Sequence, residues 1–436
     1  MYQYNTSLWP ILSVSTTTSI CSSTTLTPNF RWHNLPEKEE WRCVLYGRLI
    51  SLKQDLSTLY YRTYQSQSAS LPTPPASEIP SRAQSDTEIA DNKDDHTLRI
   101  IKHYLNLSSN LNYLYTQWSA QDSNFKKKAA QFTGIRILRQ DAWEALVSFI
   151  CSSNNNISRI SQMVEKLCLN YGPFVATVEG RSYHDFPTPE ALAGKDVEGN
   201  LRSLGFGYRA KYLYQTALMV SKEREKGWLD NLCNPESPPF GVEAKPGDEM
   251  KPEGRQGYRD AHESLLELQG VGPKVADCVC LMGLGWRESV PVDTHVWQIA
   301  QRDYRFGKGS HKSLTKATYD AIANHFRKLW GQEAGWAHSV LFTADLRSFA
   351  DRLAATKKVD VKVKEEDSKV EIKTEVTATV AITAPKQEDI DVKLEEIDSK
   401  PVVKQERGKK RKESSDGVVH ASQMTETRRM SKRIRR

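Results

Sequence analysis

Lys274 comes directly after Gly270-Val271-Gly272-Pro273, and Asp293 comes directly after Pro291-Val292. A lysine amine can attack an electrophilic carbon, and an ionised carboxylate beside a sugar can stabilise an oxocarbenium-like transition state. Lys274 opens an apolar helical pattern, where the helix dipole prefers an anion to an ammonium. That field, with partial burial, favours the free amine and therefore attack. Asp293 stands just ahead of the pattern Val296, Ile299, Ala300, the place of an N-cap that accepts backbone N–H bonds. A capping aspartate stays ionised, so capping and catalysis are compatible. Taken singly, the two residues have plain readings as a solvated lysine and a structural cap.

The elements that must position this pair run from about Tyr258 to Tyr304. Leu265, Leu266 and Leu268 recur at helical spacing, a glycine hairpin follows, and a second apolar helix runs from Lys274 toward Gly285. Gly270 and Gly272 lack a Cβ, so the turn can tighten and bring backbone N–H groups close to a ligand. Pro273 suits the first helical position, where its missing N–H costs nothing. The free N–H groups there make an anion site that a DNA phosphate would fit. On its own, a helix-hairpin-helix is usually a non-specific clamp on the DNA backbone.

The 436 residues suffice for two or three domains, but a hydrophobic content of 38% is low for a wholly globular chain. The 61 Lys and Arg side chains against 54 Asp and Glu give a net charge of +7, which suits a polyanionic partner without establishing one. Seven cysteines form no regular framework and no Cys-x-x-Cys pair, which argues against zinc and iron–sulfur sites. Their odd number, without a secretory signal, predicts reduced thiols in an intracellular compartment. No apolar run reaches transmembrane length, so no membrane partner is expected.

Phe30-Arg31-Trp32, the run from Trp41 to Leu52, and Leu59-Tyr60-Tyr61-Arg62 read as an antiparallel sheet, with a hairpin or bulge at Tyr46-Gly47-Arg48. Residues 66–95 are dominated by Pro, Ser, Asp and Ala and read as a disordered insertion. Helical patterning then covers 98–104, 109–118, 123–131, 140–152, 157–170, 188–194, 197–203 and 209–222, continues through the hairpin stretch, and ends with 312–330 and 335–348. Residues 234–257 are Pro/Gly-rich and read as a surface insertion. The expected fold is α+β: an N-terminal sheet domain over 1–110, a helical domain over 111–350, and a disordered charged tail over 351–436.

In that tail Val363-Lys364-Glu365-Glu366, Ile372-Lys373-Thr374-Glu375, Val392-Lys393-Leu394-Glu395 and Val403-Lys404-Gln405-Glu406 share one form: aliphatic, Lys, any residue, acid. The form resembles the acceptor consensus for a small ubiquitin-like modifier and predicts attachment at Lys364, Lys373, Lys393 and Lys404. The basic clusters at 409–412 and 428–436 read as nuclear import signals. The first thirty residues are too poor in arginine for a mitochondrial transit peptide, so the nucleus is the expected compartment.

Leu-Gln-Gly-Val-Gly-Pro-Lys, followed by Val-Pro-Val-Asp-Thr-His, closely resembles the helix-hairpin-helix DNA glycosylase superfamily. Cys151-Ser152-Ser153-Asn154-Asn155-Asn156-Ile157, Leu204-Gly205-Phe206-Gly207-Tyr208-Arg209-Ala210, Asp277-Cys278-Val279-Cys280-Leu281-Met282 and Gly335-Trp336-Ala337-His338 to Phe342 narrow the resemblance to eukaryotic 8-oxoguanine DNA glycosylases. It covers most of residues 20–350 and implies a monomeric, bifunctional repair enzyme acting on double-stranded DNA that contains oxidised guanine, with no redox or metal cofactor. By position, Lys274 matches the Schiff-base nucleophile and Asp293 the assisting carboxylate. Cys278 and Phe342 match the residues that sandwich the flipped base, with Met282 and His338 in the same pocket. Asn154, Arg159 and Arg209 match the readers of the orphaned cytosine, Tyr208 the wedge, and His295 a phosphate contact. Gly270 and Gly272 belong to the DNA-binding hairpin, and the Leu268 and Val271 carbonyls match the donors to a structural cation.

Two positions depart from the family. A Gly-Gln pair, whose glycine carbonyl would accept the N7–H of oxidised guanine, is missing from Thr25-Leu26-Thr27-Pro28-Asn29-Phe30. Either discrimination is altered, or the coding sequence is misassigned near a splice junction. His338 stands where the family has a glutamine, and a neutral histidine offers one donor and one acceptor, with added pH sensitivity. The rival readings are a glycosylase for another damaged base and a non-catalytic DNA-binding protein.

Overall fold

The computed structural model describes residues 30–55, 58–64, 96–307 and 314–345, together with the backbone of Ile11–Ser13. The 66–95 insertion, most of the altered Thr25–Phe30 stretch, and the tail with its four modifier lysines and basic clusters lie outside these residues.

Strands β1 (Ile11–Ser13), β2 (His33–Leu35), β3 (Glu40–Leu45), β4 (Arg48–Gln54) and β5 (Thr58–Tyr64) form an antiparallel sheet in the order β1-β5-β4-β3-β2. Leu45 pairs with Arg48, and Tyr46 and Gly47 both take positive φ (49° and 72°). This two-residue turn matches the right-handed twist of the strands it joins. Side chains alternate between two faces, and both faces of β3 and β4 are buried. Cys43, Leu45, Ile50, Leu52, Leu59 and Tyr61 pack with Ile100, Ile101 and Tyr104 of α1 (His96–Tyr104). Val44 and Leu49 face the opposite way, onto a second hairpin made of β6 (Phe174–Val178) and β7 (Arg181–His184). That hairpin escapes sequence patterning because a bulge between Phe174 and Ala176 breaks its alternation.

Phe30-Arg31-Trp32 is not a strand; pairing begins at His33. The segment instead straps the sheet to the helices. Phe30 packs edge-on against Phe149 at 6.2 Å, and Arg31 donates to Glu144 at 2.6 Å and to Asp185 at 3.2 Å.

The helical part continues with α2 (Leu111–Gln121), α3 (Ser123–Ala129), α4 (Ala142–Ser152), α5 (Ile157–Tyr171), α6 (Val197–Ser203), α7 (Arg209–Leu218) and the short α8 (Trp228–Asn231). It closes with α9 (Gln256–Leu266), α10 (Pro273–Met282), α11 (Thr294–Tyr304), α12 (Lys316–Trp330) and α13 (Ala334–Asp345). Every residue of α4 is buried, and α10 packs along it with Val275 to Met282 buried. These two helices are the axis of the core, because each is apolar nearly all round.

Residues 234–257 are more than a surface insertion. Phe240 joins the core beneath the sheet, 5.1 Å from Tyr46. Arg255, 1% exposed, makes a bidentate pair with the fully buried Glu288 at 2.8 Å for both bonds. A Pro/Gly-rich composition hid a bracket between the two halves of the fold.

Candidate active site

Helix α10 begins where the glycine hairpin ends. Gly270 has φ +76°, and a Cβ there would meet the Tyr212 ring at 2.7 Å, so only glycine fits. Gly272 is extended, and a Cβ on it would meet nothing within 4 Å. Its contribution is open space over the helix N-terminus rather than an unusual φ. Pro273 occupies the first turn and no side chain caps the helix.

Lys274 is half-buried. Its Nζ lies 3.4 Å from Ser152 Oγ and 5.5 Å from the centre of the Phe149 ring, both on the last turn of α4. Cys278 follows one turn along the same face of α10 and Met282 another, and both are buried. Burial pushes the Cys278 thiol up to about 11, opposed by the nearby Lys274 ammonium and reinforced by the Asp277 and Asp293 carboxylates. The thiol is therefore neutral at physiological pH, and it stands within the field of both Lys274 and Asp293.

Asp293 is 9% exposed, and its Oδ1 accepts the Val296 N–H at 2.9 Å, capping α11 as expected. His295, half-buried on the first turn of that helix, packs edge-on to the Phe342 ring at 6.0 Å. His338 lies one turn before Phe342 on α13, with ring centres 6.5 Å apart, and 5.7 Å from Phe326 on α12. His338 is 4% exposed, and neither of its ring nitrogens has a hydrogen-bond partner among the described residues. Burial lowers its pKa to about 4, against a smaller opposing effect of Asp277. The ring is neutral, and the pH sensitivity expected of it moves from neutrality into the acid range.

The four residues matched to DNA reading gather on two adjoining turns. Asn154 is exposed with a left-handed φ of +47°, and Asn156 caps α5 through the Arg159 N–H at 2.8 Å. Arg159 is exposed and donates to the Gly205 carbonyl at 3.3 Å. Tyr208 is 46% exposed, and its hydroxyl donates to the Ser153 carbonyl at 3.2 Å. Arg209, unlike Arg159, is not presented to solvent. It is 3% exposed under the Tyr208 ring and donates to the Ser153 carbonyl and, at 3.0 Å, to the Asn154 carbonyl. In this state it holds the Asn154 turn in shape.

The amine of Lys274 sits over Ser152, the next residues carry the Asn154 turn, and the Asp293 cap leads through His295 to Phe342. Residues 14–146 match the family described as 8-oxoguanine DNA glycosylase, N-terminal domain, and residues 147–331 match the HhH-GPD superfamily of base excision DNA repair proteins. Over residues 14–331 the chain is thus similar to 8-oxoguanine DNA glycosylases. It is 40% identical over 266 residues to an N-glycosylase/DNA lyase of Saccharomyces cerevisiae, covering 56% of this chain and 65% of that protein. It is 36% identical over 245 residues to the Arabidopsis thaliana N-glycosylase/DNA lyase OGG1, covering 56% of this chain and 60% of the relative. The aligned stretch therefore spans less than two thirds of either relative. Among solved structures, MBOgg1 in complex with a low-affinity DNA ligand superposes with a TM-score of 0.58 at 25% identity, over 79% of this chain and 98% of its own. A Clostridium acetobutylicum 8-oxoguanine glycosylase/lyase bound to DNA shares the fold, with a TM-score of 0.57 at 22% identity over 75% of this chain and 91% of that one.

Sequence reading missed the floor of the site. Phe149 and Ser152 lie one turn apart on α4, but a wholly buried helix has no polar face to mark which side meets the lysine. Phe326 behind His338 lies on the buried face of the amphipathic α12, where a core phenylalanine and a wall of the site look alike in sequence.

Proposed function

We propose that the chain is a bifunctional base-excision enzyme that removes 8-oxoguanine opposite cytosine from double-stranded DNA and then cleaves the abasic site. The observation that carries this reading is the half-buried Lys274 amine over Ser152, sharing the surroundings of the neutral Cys278 thiol with the Asp293 carboxylate. The names of its yeast and plant relatives, N-glycosylase/DNA lyase, agree with it.

The free amine of Lys274 attacks C1′, the N-glycosidic bond breaks, and the base departs with its electron pair and is protonated. Asp293 steadies the positive charge that builds on the sugar. Loss of the ring oxygen's bond to C1′ gives the imine. Removal of a C2′ proton then expels the 3′ phosphate by β-elimination and cuts the strand.

Cys278 and Phe342 would flank the flipped base, a soft neutral sulfur on one side and an aromatic face on the other. His338, whose nitrogens lack partners among the described residues, would offer one donor and one acceptor to its edge. Met282 closes the same wall. Asn154, Arg159 and Arg209 would read the orphaned cytosine, Arg209 after release from the 153–154 carbonyls, while Tyr208 fills the gap in the stack. His295 and the Gly270–Gly272 hairpin would meet phosphates. The Leu268 and Val271 carbonyls suit a hard cation beside one of them, since Leu268 O, although it accepts the Val271 N–H at 3.4 Å, has a second lone pair. The enzyme acts as a monomer in the nucleus, with modifier attachment at the four tail lysines.

The test is single-turnover excision on duplexes carrying a panel of damaged bases opposite each normal base. The 8-oxoguanine:cytosine pair should be processed fastest. Faster release of another lesion would transfer the reading to that base, and tight DNA binding without any excision would leave only a clamp.

A further inference from the structure

Asp277 lies on α10 between Lys274 and Cys278 in sequence, with 1% of its surface exposed. Its carboxylate takes no part in the chemistry above and is held mainly by hydroxyls. Tyr258 of α9 donates to Oδ1 at 2.6 Å, Ser289 Oγ donates to the same oxygen at 2.8 Å, and Tyr319 of α12 donates to Oδ2. His262 Nε2 stands farther off, 3.7 Å from Oδ2. Burial, reinforced by the Asp277 charge, pushes both tyrosine hydroxyls well above their ordinary range, so both remain protonated donors.

The two tyrosines differ in what else they touch. The Tyr258 oxygen meets the Arg327 guanidinium at 3.5 Å, which links α9 to α12. The Tyr319 oxygen accepts the Val292 N–H at 3.3 Å, and Val292 is the residue before Asp293. One hydroxyl therefore ties the helix that carries Lys274 to the turn that carries Asp293. We propose that Tyr319 is a positioning residue for the Lys274–Asp293 pair, fixing the Asp293 turn against α10 through Asp277 and the Val292 N–H. The proposal rests on the roles given above to Lys274 and Asp293. Hydrogen bonds to a buried carboxylate are strong, and a shift of about 1 Å between reacting groups can cost roughly a hundredfold in rate.

The experiment compares Tyr319→Phe with Tyr258→Phe in the full chain. Each removes one hydroxyl from the same carboxylate, but only the first cuts the bridge to Val292. Single-turnover excision on the 8-oxoguanine:cytosine duplex, affinity for a duplex with a tetrahydrofuran abasic analogue, and thermal melting are measured for both. Comparable losses of melting temperature are expected, with the excision rate falling about tenfold or more only in Tyr319→Phe and affinity held within about threefold. Equal rate losses in the two variants, a wild-type rate in Tyr319→Phe, or a rate loss matched by lost affinity would overturn the proposal. Should Tyr319→Phe not fold, 4-aminophenylalanine at 319 keeps a donor for Asp277 but gives Val292 a poor acceptor. The same rate loss is expected there, and full activity would overturn the proposal. A wild type that neither excises the base nor forms a borohydride adduct overturns the Lys274 reading and the positioning role together. An active wild type beside an equally active Tyr319 variant overturns the positioning role alone.

Discussion

Gly270 presses against Tyr212: a Cβ on the glycine would lie 2.7 Å from the ring, whereas a Cβ on Gly272, two residues on, would meet nothing within 4 Å. The hairpin thus separates two requirements. Gly270 serves the fold, through its φ of +76° and the aromatic behind it. Gly272 serves whatever approaches from outside, because the protein itself leaves the space above it empty.

Alanine at the two positions should therefore act differently. Gly270→Ala should destabilise the protein by about 2 kcal/mol or more, combining left-handed strain with the Tyr212 clash. Gly272→Ala should leave stability within about 0.5 kcal/mol of wild type but weaken DNA binding by roughly tenfold, because the added methyl would fill the space proposed above for a phosphate. Urea denaturation and fluorescence anisotropy on one duplex separate the two effects. Normal DNA affinity in Gly272→Ala would remove the phosphate from this hairpin.

Burial of His338 makes stability depend on pH. Its pKa in the folded chain is about 4, below the ordinary value of 6.5, so between these values the unfolded chain binds the extra proton. The stabilisation is fully present above about pH 6.5 and is lost as the pH falls toward 4. It amounts to about 3 kcal/mol for this one group. Denaturation at pH 7 and near pH 4 should show a steep loss in wild type and a shallower one in His338→Leu. Parallel pH curves would mean that the ring is solvated.

The Arg31–Glu144 pair should be costly to break from one side. Both residues are buried, at 7% exposure each, and the bond between them is 2.6 Å. Glu144→Ala should cost about 3 kcal/mol, because it removes a buried carboxylate bonded to the buried Arg31 guanidinium. The double replacement Arg31→Met with Glu144→Leu should cost less than that single change. Denaturation midpoints test this, and a double variant that loses as much stability as Glu144→Ala, or more, would contradict it.

Much of the fold was legible in the sequence because period-2 and helical patterns survive wherever one face is buried. The Tyr46-Gly47 hairpin, the cap at Asp293 and the helix starting at Pro273 all follow from local chemistry. Phe30-Arg31-Trp32 misled because its aromatics serve the helical core instead of a ladder, which only the long-range Glu144 and Asp185 partners decide. The 234–257 bracket was hidden for the same reason, its key residue Arg255 depending on Glu288. In the site, Lys274 and Asp293 were readable from turn chemistry, whereas the Asp277–Tyr319–Val292 bridge joins three elements and leaves no local trace. Arg209 was legible as a DNA contact only by resemblance, and its burial against the 153–154 carbonyls is a tertiary fact.

The amine over Ser152 is expected to form a covalent imine with DNA. Borohydride added during reaction with an 8-oxoguanine:cytosine duplex tests it directly. Wild type should yield one protein–DNA adduct, mapped by mass spectrometry to Lys274, and Lys274→Gln should yield none while still binding the duplex. No adduct with wild type, or an undiminished adduct with Lys274→Gln, would contradict the account.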